Sequence, residues 1–329
     1  SVKTQVRRIG VLTGGGDCPG LNAVIRGVTK PAQDYGMSVY GILDGFEGFV
    51  EGKSVELRDK DVSGILSRGG TILGSSNKGD PFHWPVQKDG KIEITDRSKS
   101  VLINYKAWDL DAVIAIGGDG TMHICNKLTK MGINVIGVPK TIDNDIYGTE
   151  YTIGYDTALN TVVEAVDKMR DTASSHNRLF FIEEMGRDAG FIALNSGIAS
   201  GAEAILIPEV HGEARHLKEY LEKDFKRKKS SNIIIVAEGD ESGGAFAIAE
   251  SVKDDFKYIV RIANTDIDGE KTLERGLTSI KGIGMHMSTL VIDNSGLDRN
   301  IKIGNLTDRQ IEKIQHSLEK IVDTAPNWM

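Results

Sequence analysis

The sequence predicts an α/β fold built on buried parallel strands, followed by a C-terminal segment of a different, helical character. Short apolar runs rich in β-branched residues recur at residues 9–12, 112–116, 135–138, 204–207 and 233–237. Helical patterns separate them, and glycine-rich turns follow the first two directly. Strands covered on both faces read as continuous apolar runs, and their alternation with helices marks a parallel sheet. After about Lys253 this alternation stops. With 329 residues, of which 40% are hydrophobic, the chain is long enough for two α/β domains with real cores.

The elements follow in order. Residues 156–169 form the clearest helix, because Leu159, Val162, Val163, Val166 and Met169 recur at helical spacing. Asp156 or Thr157 is placed to cap its start. Residues 179–182 read as a further strand. Residues 214–229 read as a charged helix that buries Leu217, Tyr220, Leu221 and Phe225. Its closing cluster, Lys226 to Lys229, suits the negative end of a helix dipole better than a nucleic-acid patch. In the tail, helices are expected at residues 273–281, 285–291 and 307–320, with a turn at 281–284 and no strand. Thr307 stands three residues before Gln310, the spacing of a capping box.

Composition narrows the function classes. A net charge of −7 argues against a general nucleic-acid binder. Cys18 and Cys125 are far apart and belong to no C-x-x-C pair, so they read as reduced structural thiols. Residues 1–8 are polar, and no run approaches the ~20 apolar residues of a membrane span. A cytoplasmic protein is expected.

Four motifs carry chemistry. The first is Gly14-Gly15-Gly16-Asp17-Cys18-Pro19-Gly20-Leu21-Asn22, directly after an apolar run. Lacking Cβ atoms, such a loop lets backbone N–H groups approach a polyphosphate, and the helix that follows turns its positive end to the anion. It has neither the Lys-Ser/Thr ending of a Walker A loop nor the Rossmann spacing. The second is Gly117-Gly118-Asp119-Gly120-Thr121, a carboxylate set inside a glycine turn. Magnesium favours one or two carboxylates completed by phosphate oxygens. The third is Pro139-Lys140-Thr141-Ile142-Asp143-Asn144-Asp145, two carboxylates two residues apart after a strand. One is suited to accept a hydroxyl proton and the other to sit near the metal. The fourth is Ser175-His176-Asn177-Arg178 with Met185-Gly186-Arg187, cationic groups flanking a strand. Guanidinium forks bind phosphate and neutralise transition-state charge.

In order and spacing, from about Arg8 to about Ser251, these motifs resemble bacterial-type 6-phosphofructokinase. The resemblance implies two doubly wound parallel-sheet domains, residues 1–139 binding nucleotide and residues 140–252 binding sugar phosphate, with an active-site cleft between them. It implies transfer of the ATP γ-phosphoryl group to the 1-hydroxyl of fructose 6-phosphate, with Mg²⁺, in glycolysis. Asp143 would be the general base, and Thr141 and Arg187 would hold the transferring group. Gly16, Asp119, Gly120, Thr121 and Lys78 would lie at the nucleotide phosphates. Arg178, Met185, Glu238 and Lys140 would line the sugar-phosphate side, and Asp119 and Asp145 would serve the metal. A homotetramer with effector sites at subunit boundaries is also implied. Donor choice divides the motif residues. Gly120 matches ATP users, whereas Lys140 matches many pyrophosphate users; ATP is favoured and pyrophosphate is the alternative. Where many members carry an arginine, Asn77 precedes Lys78, a point charge without the bidentate fork.

The family's His-Ile-Gln-Arg-Gly-Gly loop does not appear after Ser251. Instead come Arg261-Ile262-Ala263-Asn264-Thr265-Asp266-Ile267-Asp268-Gly269, Leu277-Thr278-Ser279-Ile280-Lys281-Gly282-Ile283-Gly284, and Gly304-Asn305-Leu306-Thr307-Asp308. These resemble the N-terminal half of the archaeal and eukaryotic small-subunit ribosomal protein S-thirteen. That implies an all-α, helix–two-turn–helix segment over residues 253–329 and, as an alternative function, RNA binding through it. Yet the segment carries 11 basic and 12 acidic residues, a poor basis for phosphate neutralisation. The chain therefore reads as a fusion of two partial proteins. A kinase without the sugar-phosphate loop is expected to turn over weakly unless another chain supplies the missing part.

Overall fold

The structure, a computed structural model, describes residues 6–76, 79–88, 90–176, 179–212, 216–217, 220–221, 232–241, 243–255 and 259–324. The chain divides into two compact units, residues 1–245 and 246–329. Each has its own core.

In the first unit, β1 (Arg8–Thr13), β2 (Ser38–Ile42), β3 (Ser54–Leu57), β6 (Ala112–Gly117), β7 (Val135–Thr141) and β8 (Ile153–Gly154) form one sheet in the order β3-β2-β1-β6-β7-β8. All pairs are parallel except the edge pair β2/β3. Alternation along β1 sends Leu12 into a core with Phe46, Phe49, Val101 and Leu128. Ile9 and Val11 go to the opposite face, against Leu21 and Ile25 of α1 (Leu21–Asp34). Such double-sided burial is what the continuous apolar runs encode. The chain leaves β1 toward β2 on one side, while β6 lies on the other. The strand order therefore reverses at β1/β6, and in open α/β sheets ligands bind outside the strand carboxyl ends at that point.

A second sheet, β10-β11-β9, is parallel throughout: β9 (Leu179–Glu184), β10 (Ala204–Leu206) and β11 (Asn232–Ala237). Its central strand buries Ile233 to Ala237 without interruption. Ile233 and Ile235 pack on Val166 of α5 (Tyr155–His176) and Ala193 of α6 (Phe191–Ser200). Helix α5 starts one residue earlier than its apolar spacing suggests. Asp156 and Thr157 are thus inside the first turn rather than capping it, and the Tyr155 N–H donates to the Thr152 carbonyl at 3.3 Å.

Several elements are not foreseen by the apolar-run pattern. Strands β2 and β3 are short and mixed in polarity. The antiparallel pair β4 (Trp84–Lys88) and β5 (Lys91–Thr95) has few buried residues, with Ile92 and Ile94 exposed. Its register, Lys88 opposite Lys91, brackets Asp89-Gly90, a hairpin signature that was legible in the sequence. Of the helix expected over residues 214–229, Leu217 and Leu221 are buried, but Tyr220 is 39% exposed. Lys226 to Lys229 and Phe225 lie outside the described residues.

The second unit is mainly helical, with Leu273–Leu277, Met285–Ser295 and Asp308–Thr324 around Ile267, Leu277, Val291, Ile292, Ile303 and Ile314. It is not purely so. An antiparallel hairpin, β12 (Ile259–Ile262) and β13 (Thr265–Asp268), precedes these three helices. Ala263 and Asn264 form its turn with φ of 50° and 58°, the double left-handed geometry of a tight hairpin. Without a glycine there, the sequence masked it. The first helix stops at Leu277, and i→i+3 turns at Ile280 and Ile283 replace its expected last residues. The Gln310 side chain accepts the Thr307 N–H at 2.8 Å, one half of the foreseen capping box, while the Gln310 N–H donates to the Thr307 carbonyl at 2.9 Å rather than to its hydroxyl. No helix among the described residues is long and apolar enough to cross a membrane.

Candidate active site

The first and second motifs meet beside the β1/β6 switch point. The Gly14 N–H donates to the Ile116 carbonyl at 2.8 Å, tying one loop to the strand that feeds the other. Thr121, in the first turn of α4 (Asp119–Lys130), fills the space between them. A Cβ on Gly14 would lie 2.6 Å from the Thr121 hydroxyl oxygen, and one on Gly117 only 2.2 Å from it. These glycines are therefore needed for packing. Gly16 and Gly120 differ, since a Cβ on either would meet nothing within 4 Å. They face open space, as residues beside a ligand must. Gly14→Ala is expected to cost roughly 1–3 kcal/mol by overpacking. Adding Thr121→Ala should recover most of that cost, because the remaining Thr121 Cβ lies 3.5 Å away. Urea unfolding of the two single variants and the double reads both terms, and additive costs would separate the residues.

The third motif begins on β7. Lys140, only 4% exposed, donates from Nζ to the Gly16 carbonyl and so links this strand to the first loop. Its burial lowers the pKa of the amine, an effect that the neighbouring Cys18, Asp17 and Asp143 oppose. Thr141 ends the strand. Its hydroxyl accepts the Asp143 N–H and donates to Asp143 Oδ2, each at 3.2 Å. Asn144, with φ of 56°, bends the chain, and its side chain holds the Thr152 N–H at 2.9 Å and the Glu150 carbonyl at 3.1 Å. That fixed turn leaves Asp143 7% exposed. Desolvation raises its pKa, and the Asp145 charge adds to the effect; the Thr141 hydroxyl and Arg187 work against it.

Across the cleft, Arg187 follows β9 with φ of 53°. Its Nε lies 3.6 Å from Asp143 Oδ2, while its side chain is 76% exposed. Glu238, directly after β11, accepts the N–H groups of Gly186 and Arg187 at 3.0 and 2.7 Å through one oxygen. Nothing in the sequence pairs these positions.

Gly16, Asp119, Gly120, Thr121, Lys140, Thr141, Asp143, Asp145, Met185, Arg187 and Glu238 line a single cleft of about 710 Å³. Lys78 and Arg178 lie outside the described residues. The cleft also takes in Phe46, Ser76, Asp80 and His123, which sequence reasoning missed. Only His123 had a signal, standing two residues beyond the second motif. Cys18 lines the cleft, but burial pushes its thiol up to about 11. Burial likewise pushes Cys125 up to about 12, so both thiols resist ionisation at neutral pH. Among the described residues no three His, Cys, Asp or Glu side chains cluster tightly enough to hold a metal unaided. Asp119 and Asp145 are exposed cleft carboxylates. That donor set fits a magnesium ion whose remaining ligands are phosphate oxygens and water.

The sequence model of the family described as phosphofructokinase matches residues 8–278. That of ribosomal protein S13/S18 matches residues 261–329. ATP-dependent 6-phosphofructokinase 2 of Bacteroides thetaiotaomicron is 48% identical over 259 residues, covering 78% of this chain and 76% of its own. ATP-dependent 6-phosphofructokinase 1 of Thermus thermophilus is 44% identical over 259 residues, covering 78% and 77%. Among solved structures, Pichia pastoris phosphofructokinase in the T-state superposes with a TM-score of 0.64 at 24% identity, a likeness of fold. The superposition covers 98% of this chain but 40% of the fungal one.

Proposed function

Because the chain belongs to the phosphofructokinase family, we propose that it transfers the γ-phosphoryl group of ATP to the 1-hydroxyl of fructose 6-phosphate. The carrying observation is the desolvated Asp143 carboxylate 3.6 Å from Arg187, in the cleft onto which both glycine loops open. In this reading Asp143 takes the proton as the hydroxyl oxygen attacks phosphorus. The bond from the γ-phosphorus to its bridging oxygen breaks, and ADP leaves with the electron pair. Arg187 and the Thr141 hydroxyl hold the transferring group. The loop amides near Gly16 and Gly120 hold the nucleotide phosphates. Positioning and electrostatics supply most of the acceleration in such transfers. Asp119 and Asp145 would hold Mg²⁺, which when bound neutralises phosphate charge. Met185 and Glu238 would border the sugar phosphate. A homo-oligomer and a cytoplasmic location go with this reading.

ATP is supported as donor by the open space at Gly120 and by the relatives' names. Lys140 does not compel pyrophosphate, since its ammonium is engaged by the Gly16 carbonyl. The chain lacks the family's His-Ile-Gln-Arg-Gly-Gly loop, and with it two cationic contacts to the sugar phosphate. Turnover is therefore expected to be slow, with a raised KM for fructose 6-phosphate. The test is one coupled assay with ATP and with pyrophosphate in parallel. Product from ATP alone supports the reading, and product from pyrophosphate alone overturns the donor. ATP binding without product would make the chain a nucleotide-binding scaffold. Near-normal efficiency would refute the slow turnover. The S13-like segment, with more acidic than basic residues, adds no RNA-binding role to this proposal.

A further inference from the structure

Arg187 presents a physical problem. Its side chain is largely in solvent, and its approach to Asp143, at 3.6 Å, is longer than a good hydrogen bond. Side-chain packing therefore does not aim it. Its backbone must, yet that backbone has φ of 53°, in the left-handed region where an L-residue's Cβ crowds the following carbonyl oxygen. Strained backbone persists only where surrounding contacts over-determine it.

Those contacts are present. One oxygen of Glu238 accepts both N–H groups at the bend, at 3.0 and 2.7 Å. A charged acceptor makes such bonds strong. The Ala189 N–H closes the turn on the Gly186 carbonyl at 3.0 Å. Gly186 has φ of 150°, and a Cβ there would lie 2.3 Å from the Ala189 carbonyl oxygen. Glu209 accepts the Gly190 N–H at 2.8 Å and pins the far end. Glu238 is itself held, because its N–H donates to the Glu184 carbonyl at 2.8 Å and extends the β9/β11 pairing.

We propose that Glu238 is a positioning residue for phosphoryl transfer: it clamps the Gly186–Arg187 backbone in the left-handed bend and thereby aims the Arg187 guanidinium at the reaction. This goes beyond a place at the rim of the sugar-phosphate site. The role needs an acceptor oxygen at this place, which glutamine also presents, so glutamine should retain most of it and alanine should not. Only the kinetic part of the claim rests on the phosphotransferase reading; the clamp itself does not.

The test uses the full chain and two readouts. Residue-resolved amide hydrogen exchange is measured in the wild type, Glu238→Ala and Glu238→Gln. At Gly186 and Arg187, Glu238→Ala should raise exchange about tenfold or more, the loss of one hydrogen bond to a charged acceptor, and Glu238→Gln should restore most of the protection. Kinetically, Glu238→Ala should lower kcat roughly 10- to 100-fold, the scale of a small misplacement. Glu238→Gln should recover most of that loss. Adding Glu238→Ala to Arg187→Ala should change kcat by no more than about threefold, because both act through one guanidinium. Val166→Ala, which opens space in the core beneath β11 and touches neither the bend nor the cleft lining, controls for general destabilisation and should keep kcat within about threefold of wild type. Unchanged exchange at Gly186 and Arg187 overturns the proposal. So does a loss confined to KM for fructose 6-phosphate, or a full multiplicative loss in the double variant. If no donor gives product, the phosphotransferase reading falls and the exchange measurement alone decides the clamp.

Discussion

Asp143→Ser is expected to lower kcat by roughly 10²–10⁴-fold with little change in ATP affinity, the loss typical of removing a general base. The geometry explains the size and the selectivity. Asp143 sits on a turn fixed by Thr141 and Asn144, not on the glycine loops that would hold nucleotide. Removing its carboxylate leaves both loops and the Thr121 packing intact. The same substitution has a consequence for stability. Burial raises the folded-state pKa of Asp143 above its unfolded value. A group raised in this way binds its proton more tightly when folded. Its contribution is fully present below the unfolded pKa and is lost as pH rises through the folded one. At neutral pH the wild type therefore carries a desolvated, ionised carboxylate at a cost. Asp143→Ser should be at least as stable as wild type at pH 7 while losing its rate. Thermal unfolding across pH 4–8 should show a decline in the wild type that the variant lacks. A variant with full kcat would remove Asp143 from the mechanism. A large fall in Tm at pH 7 would show that the carboxylate is structural.

What the sequence makes legible follows from where each constraint is written. The strands β1, β6 and β11 are buried on both faces, so their runs are continuous and readable. The two glycine loops and the Lys140 to Asp145 turn are contiguous motifs, and they arrive in one cleft. Strands β3 and β5 lie at sheet edges with exposed faces, so burial imprints no period on them. The β12/β13 hairpin is hidden for another reason, since its turn uses Ala263 and Asn264 in place of glycine. Glu238 illustrates a third limit. Its partners lie 51 and 52 residues earlier, and the bond runs to backbone N–H groups, whose donors are the same whatever the residue. Likewise, Gly14 and Gly117 look like phosphate-loop glycines but serve Thr121, whereas Gly16 and Gly120 face open space. Only coordinates separate a glycine that admits a ligand from one that admits a threonine.

Gly239→Ala is expected to reduce kcat by roughly 10²-fold or more. A Cβ at this position would lie 2.0 Å from the Arg187 carbonyl oxygen, 3.0 Å from its carbonyl carbon and 3.2 Å from the Asp188 Cα. Every one of these is backbone, so no rotamer change relieves the overlap. Gly239 also sits between Glu238, which grips the bend, and Asp240, whose N–H donates to the Ala237 carbonyl at 3.0 Å and closes the turn after β11. The added methyl must therefore push Arg187 away from Asp143 or unseat Glu238, and either movement misaims the guanidinium. Overpacking of this kind costs about 1–3 kcal/mol and occasionally more. For a unit of this size, each kcal/mol lowers Tm by roughly 2–4 °C. The contrast with Gly16→Ala separates this account from simple intolerance of substitution. Gly16 meets nothing within 4 Å, so its methyl group should leave Tm within about 1 °C and act, if at all, on nucleotide KM. Equal losses of Tm in the two variants, or a Gly239→Ala variant with wild-type kcat, would show that the bend at Arg187 is free to move, and that its left-handed geometry is no part of the catalytic arrangement.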